Sequence, residues 1–519
     1  MTPECDVVVI GGGIAGLTSA ALLSKAGLDV EVVEAQPHPG GYLSGFVRHG
    51  FAFDSSIVWL NQCRPGGLVH ALLSHLGPDF PTCRPLTRIK RYRGTSFDYL
   101  LTSDPTRLRD QLIDDRRGDR SGIMRLFSDA EALGERWNVF SRRFRSPEAM
   151  TRLEKAGYGA RMLQWALPIV RHLSVSAEAG LHRYAGGDRL QAVFCTEAKL
   201  MSILLPIAWA YAGDYQAPPT GGSSAFISWL RRLIMASGST VTCSRAVEQV
   251  VVDEGRAVGA VLGDGRRITS RYVLAACDVE SLYERMLGPD LVPRRVKQAL
   301  READLYSSHV SAFLGLDCET DSLGLGEEII CLTRDDVPRA EQAGGDPRKT
   351  AITVFAPSVR DPTLAPPGKG TLTIQCPTWL SYEGRWRTGA GMTRGAAYRA
   401  LKADVARTLV ERVERELVPD LRRHVELMEV ATPVTYHRYT GNRDGSIMGA
   451  TPSPRNVRNK VARCRTPVEG LLLAGHWAEV GGGVPIAMRA AANASLIVLK
   501  EMGCSGFEDL RDVMDGGTS

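Results

Sequence analysis

The pattern of apolar and polar positions near the start of the chain predicts a strand, a helix and a second strand in close succession. Residues 7–10 form a continuous apolar run of the kind found in buried parallel strands. Apolar and small residues then recur at helical spacing over 17–26, and the helix is expected to end at Gly27. A second apolar run covers residues 30–33 and is followed directly by Glu34. The pattern therefore predicts a complete β–α–β unit.

The pattern changes twice in the middle of the chain. From about residue 87 to 212 helical periodicity dominates, as in TRLRDQLIDD and SGIMRLFSDAEALGERWNVF. Residues 213–284 return to a glycine-containing turn, a helix and strand pairs, with hairpin turns at Glu254-Gly255 and Asp264-Gly265. Residues 285–430 contain alternating apolar strands such as VSAFLGLD and GTLTIQCPTWL, which predict a second sheet able to line a pocket.

The last block of the chain repeats the opening arrangement. An apolar strand is predicted over 470–474, a turn with three glycines follows at 481–483, and an alanine-rich helix is predicted over 486–500. Glycines leave backbone amides open to a ligand, and small helix residues let the backbone pack close to one. This repetition raises the question of whether both ends of the chain build one site.

Composition narrows the class of protein. The 519 residues exceed the usual single-core size of about 250–300, so more than one domain, or one domain split by insertions, is expected. The hydrophobic fraction of 44% and the charged fraction of 23% are typical of an ordinary folded protein. A net charge of only +5 without a dense basic block disfavours nucleic acid as a partner. The eleven cysteines lack metal or redox spacing, which favours reduced thiols, a cytoplasmic location and no metal site.

One strongly apolar segment, LMSILLPIAWAYAG, begins at Leu200. It is shorter than the ~20 residues that a membrane-spanning helix needs, and it contains Pro206. A buried core helix is the favoured interpretation, and the alternative is a lip that rests on a membrane surface. The start of the chain shows no basic n-region or cleavage site, so no secretory signal is expected.

The first turn carries the chemistry of a dinucleotide site. Gly11, Gly13 and Gly16 have the GxGxxG spacing that allows a tight turn, close approach of a pyrophosphate and close packing of helix on strand. The helix start presents unpaired N–H groups to phosphate oxygens. Glu34 can accept from both ribose hydroxyls and would repel a 2′-phosphate, which disfavours NADP. Three neighbours complete this set of candidate cofactor-binding residues: Ile14, Ala15 and Ala35.

The stretch EAQPHPGGYLSGFVRHGFAFDSS separates FAD from NAD. Gly40 and Gly41 follow six residues after Glu34, and a Gly-Phe-Ala-Phe-Asp segment comes next. Here the sequence resembles the FAD-dependent phytoene desaturase, carotenoid isomerase and retinol saturase superfamily, which is related to the flavin amine oxidases. The resemblance implies that Gly40, Gly41 and Tyr42 continue the flavin site. The sequence departs from the superfamily at Tyr42, where Arg is frequent, and at Ser56, where Gly is frequent.

The resemblance also implies a fold and a domain order. It predicts an α/β protein with a Rossmann-type FAD-binding domain that is discontinuous in sequence, and an inserted α+β substrate-binding domain. The FAD domain would comprise 1–86, 213–284 and 431–505, with a mostly helical substrate or lid region at 87–212. The substrate-binding sheet would occupy 285–430, and a tail 506–519. In the superfamily the backbone of a valine after the first strand of the second FAD block contacts adenine, and by position that residue is Val247.

The C-terminal block matches the superfamily in a further series of motifs. Thr432-Pro433 precedes spaced glycines at 441, 445 and 449, which form a loop that could approach the flavin. In the superfamily the strand, turn and helix that follow cover the ribityl and isoalloxazine part of FAD. A helix N-terminus there would stabilise the anionic reduced flavin. This implies the remaining cofactor-binding candidates: Gly475, His476, Gly482, Gly483, Val484 and Pro485.

The resemblance implies a class of reaction but no catalytic residue. An FAD-dependent oxidoreductase acting on an apolar conjugated polyene is expected, by desaturation, isomerisation or saturation through hydride exchange with flavin N5. The alternative is a flavoenzyme of bacterial specialised metabolism that oxidises, reduces or cyclises a polyketide-type polyene. An amine oxidase, against which His476 argues mildly, and a non-catalytic flavin-binding protein are lesser alternatives. A lipophilic polyene is the expected partner, with peripheral membrane contact as a further hypothesis, and no catalytic acid or base can be named.

Overall fold

A computed structural model describes residues 3–140, 145–173, 175–186, 188–197, 199–334 and 337–516. Its strands, numbered along the chain, are β1 Cys5–Ile10, β2 Val30–Val33, β3 Phe46–Arg48, β4 Phe51–Phe53, β5 Arg88–Arg93, β6 Asp98–Thr102, β7 Thr240–Thr242, β8 Val247–Asp253, β9 Arg256–Leu262, β10 Arg267–Ala275, β11 Ser308–Leu316, β12 Ile329–Leu332, β13 Ile352–Phe355, β14 Gly370–Thr378, β15 Val425–Ala431 and β16 Leu471–Leu473.

The helices are numbered in the same way, and short 3₁₀ turns lie between some of them. They are α1 Ile14–Lys25, α2 Leu68–Leu76, α3 Thr106–Asp115, α4 Arg120–Phe140, α5 Arg152–Leu173, α6 Ala177–His182, α7 Asp188–Val193, α8 Leu200–Tyr211, α9 Ser224–Ala236, α10 Val279–Ser281, α11 Arg294–Arg301, α12 Arg339–Gln342, α13 Pro357–Arg360, α14 Tyr382–Trp386, α15 Ala396–Glu416, α16 Pro433–Thr440, α17 Pro454–Arg458, α18 Val484–Met502 and α19 Gly506–Met514.

The first sheet is assembled from three distant parts of the chain. Its strand order is β7-β2-β1-β10-β9-β8, and β16 pairs with β10. β10 is the strand that joins them: it pairs in parallel with β1 and β16 and antiparallel with β9. The strands predicted near both ends of the chain, together with the block at 213–284, therefore build one sheet, which is the Rossmann-type arrangement expected from the sequence.

α1 connects β1 to β2 and is buried along nearly its whole length. Of its twelve residues only Lys25 is outside the buried class. One side of α1 packs against the alanine-rich α18 and the other against α9. Because alanine side chains are small, two helices can approach closely without leaving voids. The small residues at both ends of the sequence thus form one helix-to-helix interface over the first sheet.

The second sheet has the order β15-β11-β14-β13-β12-β5-β6 and is antiparallel except for the β12–β5 pair. One of its faces, with Val310, Leu314 and Ile374, is fully buried in a core that includes the apolar side of α15. The strands VSAFLGLD and GTLTIQCPTWL predicted by the sequence are the neighbouring central strands β11 and β14.

The apolar segment at Leu200 forms α8, and its side chains belong to a core. Leu200, Ile203 and Ile207 are at most 1% exposed and pack with α4 and with neighbouring helices in one cluster. The buried-helix interpretation of this segment is therefore confirmed. Among the described residues, every helix is either too short or too polar to span a bilayer.

Two segments differ from the expectations drawn from the pattern. The region 87–212 was predicted to be mostly helical, yet it opens with the β5–β6 hairpin, which joins the second sheet. β5 contains several basic residues, which hide the alternation of apolar and polar residues expected of a strand. In the structure several of these residues form ion pairs, such as Arg91 with Asp98. The segment 506–519 was predicted to be a tail, but it contains α19, which packs against α18 and α2.

Candidate functional site

The carboxyl ends of parallel strands in the first sheet meet along one edge. The Ala276 N–H, just after β10, donates to the carbonyl oxygen of Ile10 at the end of β1, with an N–O distance of 2.9 Å. The Ala474 N–H, just after β16, donates to the carbonyl oxygen of Ala275 at 3.0 Å. In open α/β sheets ligands bind outside such strand ends. The candidate residues from the two ends of the chain are therefore brought to one edge.

The N-terminal glycine turn excludes a side chain at one position and leaves space at another. A Cβ added to Gly16 would overlap the carbonyl oxygen of Gly11, so α1 packs directly on the turn. A Cβ added to Gly13 would meet nothing within 4 Å. Gly13 is the N-cap of α1, and Ile14 and Ala15 are its first two residues. Open backbone at a helix N-terminus is a suitable place for a phosphate group.

Glu34 holds its carboxylate against this turn. The Oε2 atom accepts from the Gly12 N–H at 2.7 Å, and the Oε1 atom accepts from the Gln36 N–H at 2.7 Å. Glu34 is 9% exposed, whereas the next residue, Ala35, is exposed. Each carboxylate oxygen keeps acceptor capacity beyond these bonds, so the group can also accept from ribose hydroxyls.

The second FAD block reaches the same place. The Arg245 N–H donates to the carbonyl oxygen of Glu34 at 3.0 Å, and Val247 begins β8 two residues later. Val247 is 7% exposed. The segment that precedes β8 is thus held beside Glu34, at the end of the site where the adenosine is expected.

The loop after Glu34 closes on the glycine turn and ties it to the C-terminal block. The Gly40 N–H donates to the carbonyl oxygen of Gly12 at 2.7 Å, and Gly41 begins the short helical turn that carries Tyr42. The Tyr42 hydroxyl donates to the carbonyl oxygen of Ser446 at 2.8 Å and accepts from Nδ2 of Asn442 at 3.1 Å. Burial raises the pKa of Tyr42, so the phenol stays neutral.

A chain of hydrogen bonds continues from Tyr42 into the second sheet. The Ser55 hydroxyl donates to the carbonyl oxygen of Tyr42 at 2.8 Å, and the Tyr436 hydroxyl donates to the carbonyl oxygen of Ser55 at 3.2 Å. The hydroxyls of Tyr436 and Ser311, on β11, lie 3.0 Å apart. Sequence reasoning missed Tyr436, Asn442 and Ser311. The only available signal for the first two was their position inside the block of spaced glycines.

The C-terminal glycine turn packs under the loop of residues 441–449. Gly483 is the N-cap of α18, and Val484 and Pro485 are its first two residues. A Cβ added to Gly482 would lie 2.5 Å from the Cβ of Met448. The loop therefore packs closely on the turn, and glycine at 482 leaves room for the Met448 side chain.

His476 has a buried nitrogen with no hydrogen-bond partner. Gly475 and His476 follow β16 after one residue, Ala474, and a Cβ on Gly449 would overlap the imidazole ring. Among the described residues, nothing hydrogen-bonds the His476 Nε2 atom or the Nε1 atom of Trp477. Burial lowers the pKa of His476 to about 4, so the ring is neutral near pH 7. A buried polar atom without a partner is costly and calls for an explanation.

A buried ionic cluster is formed by Glu479, three residues after His476, with Arg489 and Asn493 of α18. The Arg489 guanidinium donates to the Glu479 carboxylate, which also accepts from Nδ2 of Asn493 at 2.8 Å. Burial raises the pKa of Glu479, and the charge of Arg489 opposes that rise. The Oδ1 atom of Asn493 accepts from the Ser146 N–H at 2.7 Å. Sequence reasoning missed this cluster, although two polar residues four positions apart in an alanine-rich helix were a readable signal.

Two observations show that these residues fit FAD. The backbone beside Gly13 is open where a pyrophosphate would lie, and the buried His476 Nε2, which has no hydrogen-bond partner among the described residues, lies against Gly449 in the loop over the other glycine turn. The Glu34 carboxylate lies beside the first glycine turn, at the end where the adenosine is expected. The fold and the donor set define a flavin-dependent oxidoreductase with FAD as its cofactor.

The chain belongs to the flavin containing amine oxidoreductase family, whose sequence model matches residues 14–499. It is 24% identical to the all-trans-retinol 13,14-reductase of Danio rerio over 99% of this chain and 89% of that protein. It is 25% identical to the chloroplastic prolycopene isomerase of Daucus carota over 93% of this chain and 78% of that protein. These relatives confirm the resemblance to the phytoene desaturase and retinol saturase superfamily.

Solved structures confirm the fold. An oxidoreductase from Methanosarcina mazei superposes with a TM-score of 0.59 at 18% identity, covering 96% of this chain and 100% of that one. A putrescine oxidase variant superposes with a TM-score of 0.61 at 17% identity, covering 96% and 99%. At these identities the similarity concerns the architecture of the FAD-binding enzymes alone.

Proposed function

We propose that the protein exchanges hydride between FAD and an apolar conjugated polyene. The observation that carries the proposal is similarity over almost the whole chain to a retinol reductase and a prolycopene isomerase, both named for reactions of conjugated polyenes. A surface suited to such a substrate supports it: the face of the second sheet that carries Ser311 and Phe313. Phe313 packs against Phe46 and Phe53 of the first FAD block, with ring centroids 5.1 and 5.7 Å apart.

The register of the second sheet places a row of uncharged side chains on one face, where they can line the substrate site. Residues directly opposite each other on neighbouring strands point to the same face. Ser311 on β11 lies opposite Gln375 on β14, which lies opposite Thr353 on β13, which lies opposite Cys331 on β12. These four side chains carry no charge, and the acidic residue on the same face, Glu429 on β15 opposite Phe313, pairs with Arg48.

The chemistry follows from the substrate. An unactivated C–H beside an alkene is far too weak an acid for a side-chain base with a pKa near 7. Bound FAD supplies hydride exchange at its N5 atom, and the chain supplies binding, orientation and exclusion of water. Hydride removal would give desaturation, hydride donation would give saturation, and a reversible exchange would give isomerisation.

The proposed cofactor contacts divide between the two ends of the chain. The set from Gly11 to Tyr42, with Val247, would hold the adenosine and pyrophosphate, and the set from Gly475 to Pro485 would hold the flavin. The FAD domain would comprise 1–86, 213–284 and 431–505, with substrate-binding regions at 87–212 and 285–430. Neutral His476 would supply Nε2 to the flavin or to the substrate beside it.

The test is anaerobic incubation of the FAD-loaded protein with carotenoid-type, retinoid-type and polyketide-type polyenes, followed by mass spectrometry. A gain or loss of two hydrogens, or an unchanged mass with altered retention, supports the proposal and selects the reaction. A product of unchanged mass with a new ring, formed from a polyketide-type polyene, would favour the specialised-metabolism alternative. Flavin that is reduced by amines and stays inert toward all polyenes would overturn it in favour of an amine oxidase.

A cytoplasmic location with peripheral contact to a membrane is a separate proposal, prompted by the lipophilic substrate. Two leucines on α5 support it, since Leu153 is 86% exposed and Leu163 is 62% exposed. Exposed apolar side chains on one helix can enter a lipid interface. Co-sedimentation with liposomes, weakened in a Leu153→Ser, Leu163→Ser double variant, is the expected result, and absence of co-sedimentation contradicts the proposal.

A further inference from the structure

Three side chains of different chemical types meet at one end of the second sheet. Asp317 and Cys318 directly follow β11, and His424 directly precedes β15. A carboxylate oxygen, the thiol sulfur and a ring nitrogen from these residues all lie within 4.8 Å of one another. The spacing of the cysteines along the chain could not indicate this group, because His424 is 107 positions from Asp317.

The backbone that carries these side chains is held by neighbouring strands. The Asp317 N–H donates to the carbonyl oxygen of His424, with an N–O distance of 3.0 Å. The register of β11 against β15 shifts just before this point, and such irregularities at the edge of a sheet re-aim side chains. A Cβ added to Gly370, the first residue of β14, would lie 2.9 Å from the carbonyl oxygen of Cys318. The three side chains therefore project from backbone that is fixed on two sides.

The spacing of the three ligand atoms is close to the spacing around a tetrahedral zinc ion. Zinc binds sulfur at about 2.3 Å and nitrogen or oxygen at about 2.0–2.2 Å, so its ligand atoms are about 3.3–3.7 Å apart. His424 Nδ1 and Asp317 Oδ1 are 2.8 Å apart, and no pair among the three ligand atoms exceeds 4.8 Å. Side-chain rotations that move these atoms by about 1 Å would bring all three to one ion.

The group is open to solvent on one side. The side chains of Asp317 and His424 are 44% and 35% exposed, and Cys318 is half-buried. An ion can therefore enter from solvent and keep a water molecule as a fourth ligand. A divalent ion between Asp317 and His424 would replace their hydrogen bond by two coordinate bonds.

Two cations close in sequence to these residues are directed to other carboxylates. Arg422, two residues before His424, donates from Nε to Glu414 at 2.5 Å. Lys369, just before β14, donates to Glu426 at 2.5 Å. Because each of these charges has its own acidic partner, neither neutralises the carboxylate of Asp317.

The donor set selects the ion. Thiolate and imidazole ligands suit zinc, whereas calcium and magnesium prefer oxygen ligands alone. A carboxylate and a thiolate together balance the charge of a divalent cation. We propose that Asp317, Cys318 and His424 bind one Zn²⁺ ion, with water as the fourth ligand. The Cys318 thiol releases its proton to solvent as the sulfur coordinates the ion.

The position of the site gives the ion a structural role. β15 is an edge strand of the second sheet, and the ion would clamp its first residues to the end of β11. Asp317 is six residues along the chain from Ser311, or about 20 Å at the rise of a strand. The ion would thus stabilise the sheet at a distance from the proposed substrate site, and this inference is independent of the proposed function.

The test uses the full-length, FAD-loaded protein, kept reduced and freed of metal with a chelator. Zinc chloride is titrated in competition with a chromogenic chelator, and bound zinc is counted by mass spectrometry of the element. We expect one zinc per chain with a dissociation constant on the order of 1 μM, weaker than four-ligand structural sites because one ligand is water. Saturating zinc should raise the melting temperature by about 3 °C, since it binds the folded state alone.

Ligand variants and matched controls identify the side chains. Cys318→Ser and His424→Gln should each weaken zinc binding by about 100-fold, because each removes one of three protein ligands. Cys504→Ser, at a cysteine that is also half-buried, and His182→Gln, at an exposed histidine, should bind zinc as the wild type does. In the wild type, zinc should slow alkylation of Cys318 by iodoacetamide at least about tenfold and leave Cys504 unaffected, since a coordinated thiolate is a poor nucleophile.

Each outcome decides for or against the site. Flavin content shows whether a variant is folded. Failure of the wild type to bind zinc at tens of micromolar overturns the proposal, as does full zinc binding by folded Cys318→Ser or His424→Gln. Equal losses in Cys504→Ser would assign the zinc to scattered thiols and also overturn it. If both ligand variants fail to fold, the alkylation of wild-type Cys318 decides alone, and an unchanged rate with zinc contradicts the site.

Discussion

The two sheets of the molecule place their functional groups in different ways. In the first sheet the candidate groups are backbone atoms and one carboxylate at strand ends, and they lie within a few residues of glycine turns. In the second sheet they are side chains in the middle of strands, such as Ser311 and Gln375, which the register of β11 and β14 sets opposite each other. Functional groups at strand ends come from residues that are close together in the sequence. Functional groups on a sheet face come from different strands and are aligned by the register of those strands.

This difference has a physical basis. A glycine turn at a strand end creates a ligand site through a short stretch of backbone, so only a few sequences can form it. A sheet face tolerates many side chains, provided that each fits its cross-strand neighbours. The cofactor can therefore be recognised from a motif, while the substrate depends on residues that no motif marks.

The largest expected effect concerns the first sheet. Gly13→Leu places a side chain in open space, so the protein should fold, but the branch would occupy the position of the pyrophosphate. We expect FAD affinity to fall by about 100-fold or more, because the backbone can no longer approach the phosphates. Flavin absorbance per protein and the far-ultraviolet circular dichroism spectrum measure the two effects.

Gly118→Leu is the matched control, because an added Cβ at this position also meets nothing within 4 Å. It should retain wild-type flavin content. A Gly13→Leu protein that is yellow and fully loaded with FAD would show that the pyrophosphate lies elsewhere. Backbone at the strand ends of the first sheet would then not be what binds the cofactor.

A smaller effect is expected where the two sheets are connected. Tyr42→Phe removes the hydroxyl that bonds Ser446 and Asn442 and leaves a buried acceptor and donor less satisfied. The free energy of unfolding should fall by about 1–2 kcal/mol, at roughly 1 kcal/mol per hydrogen bond. Urea denaturation with excess FAD measures the change. Tyr439→Phe, at a position that is 52% exposed, serves as the control, and equal stability of the two variants would argue against a connecting role for Tyr42.

The smallest effect concerns the face of the second sheet. Burial lowers the pKa of His309 to about 4, from an ordinary value of 6.5. Above pH 6.5 the imidazole is neutral in both states, but between 6.5 and 4 the unfolded chain binds the proton and the folded protein does not. Stability should therefore fall as the pH is lowered through this window, by up to about 1 kcal/mol per pH unit from this residue.

His309→Gln removes this contribution. Its unfolding free energy, measured at pH 7.5, 6.5 and 5.5, should fall less steeply with decreasing pH than that of the wild type. His476 has a similarly lowered pKa and remains in both proteins, so the comparison isolates His309. Identical slopes for the two proteins would place the imidazole in contact with water.

The sequence was sufficient for the architecture of the first sheet and for FAD. The run at residues 7–10, the glycine spacing and Glu34 are convincing in this order, and together they predicted the β–α–β unit that is observed. The resemblance then supplied the three-part order of the FAD domain. That both ends of the chain contribute to one FAD domain followed from this order, whereas the strand at which they meet, β10, is known only from the structure.

The rest could not be predicted because it depends on pairing between distant residues. The β5–β6 hairpin is hard to recognise in the sequence because its basic residues pair with acidic residues far away in the chain. Arg88, for example, pairs with Glu328, directly before the neighbouring strand β12. The helix α19 is short, and its apolar residues, Leu510, Val513 and Met514, are recognisable only with the core that they fill. The Asp317–His424 pair joins residues 107 positions apart.

The position of β16 and α18 has a consequence for the order of events during synthesis. β1 and β10, which pair with each other, are both complete by residue 275. The strand and helix that complete the cofactor edge, β16 and α18, are residues 471–473 and 484–502. On the ribosome the nascent chain therefore emerges for most of its length with this edge incomplete and its apolar strand uncovered. We therefore expect FAD to bind only after α18 has been synthesised.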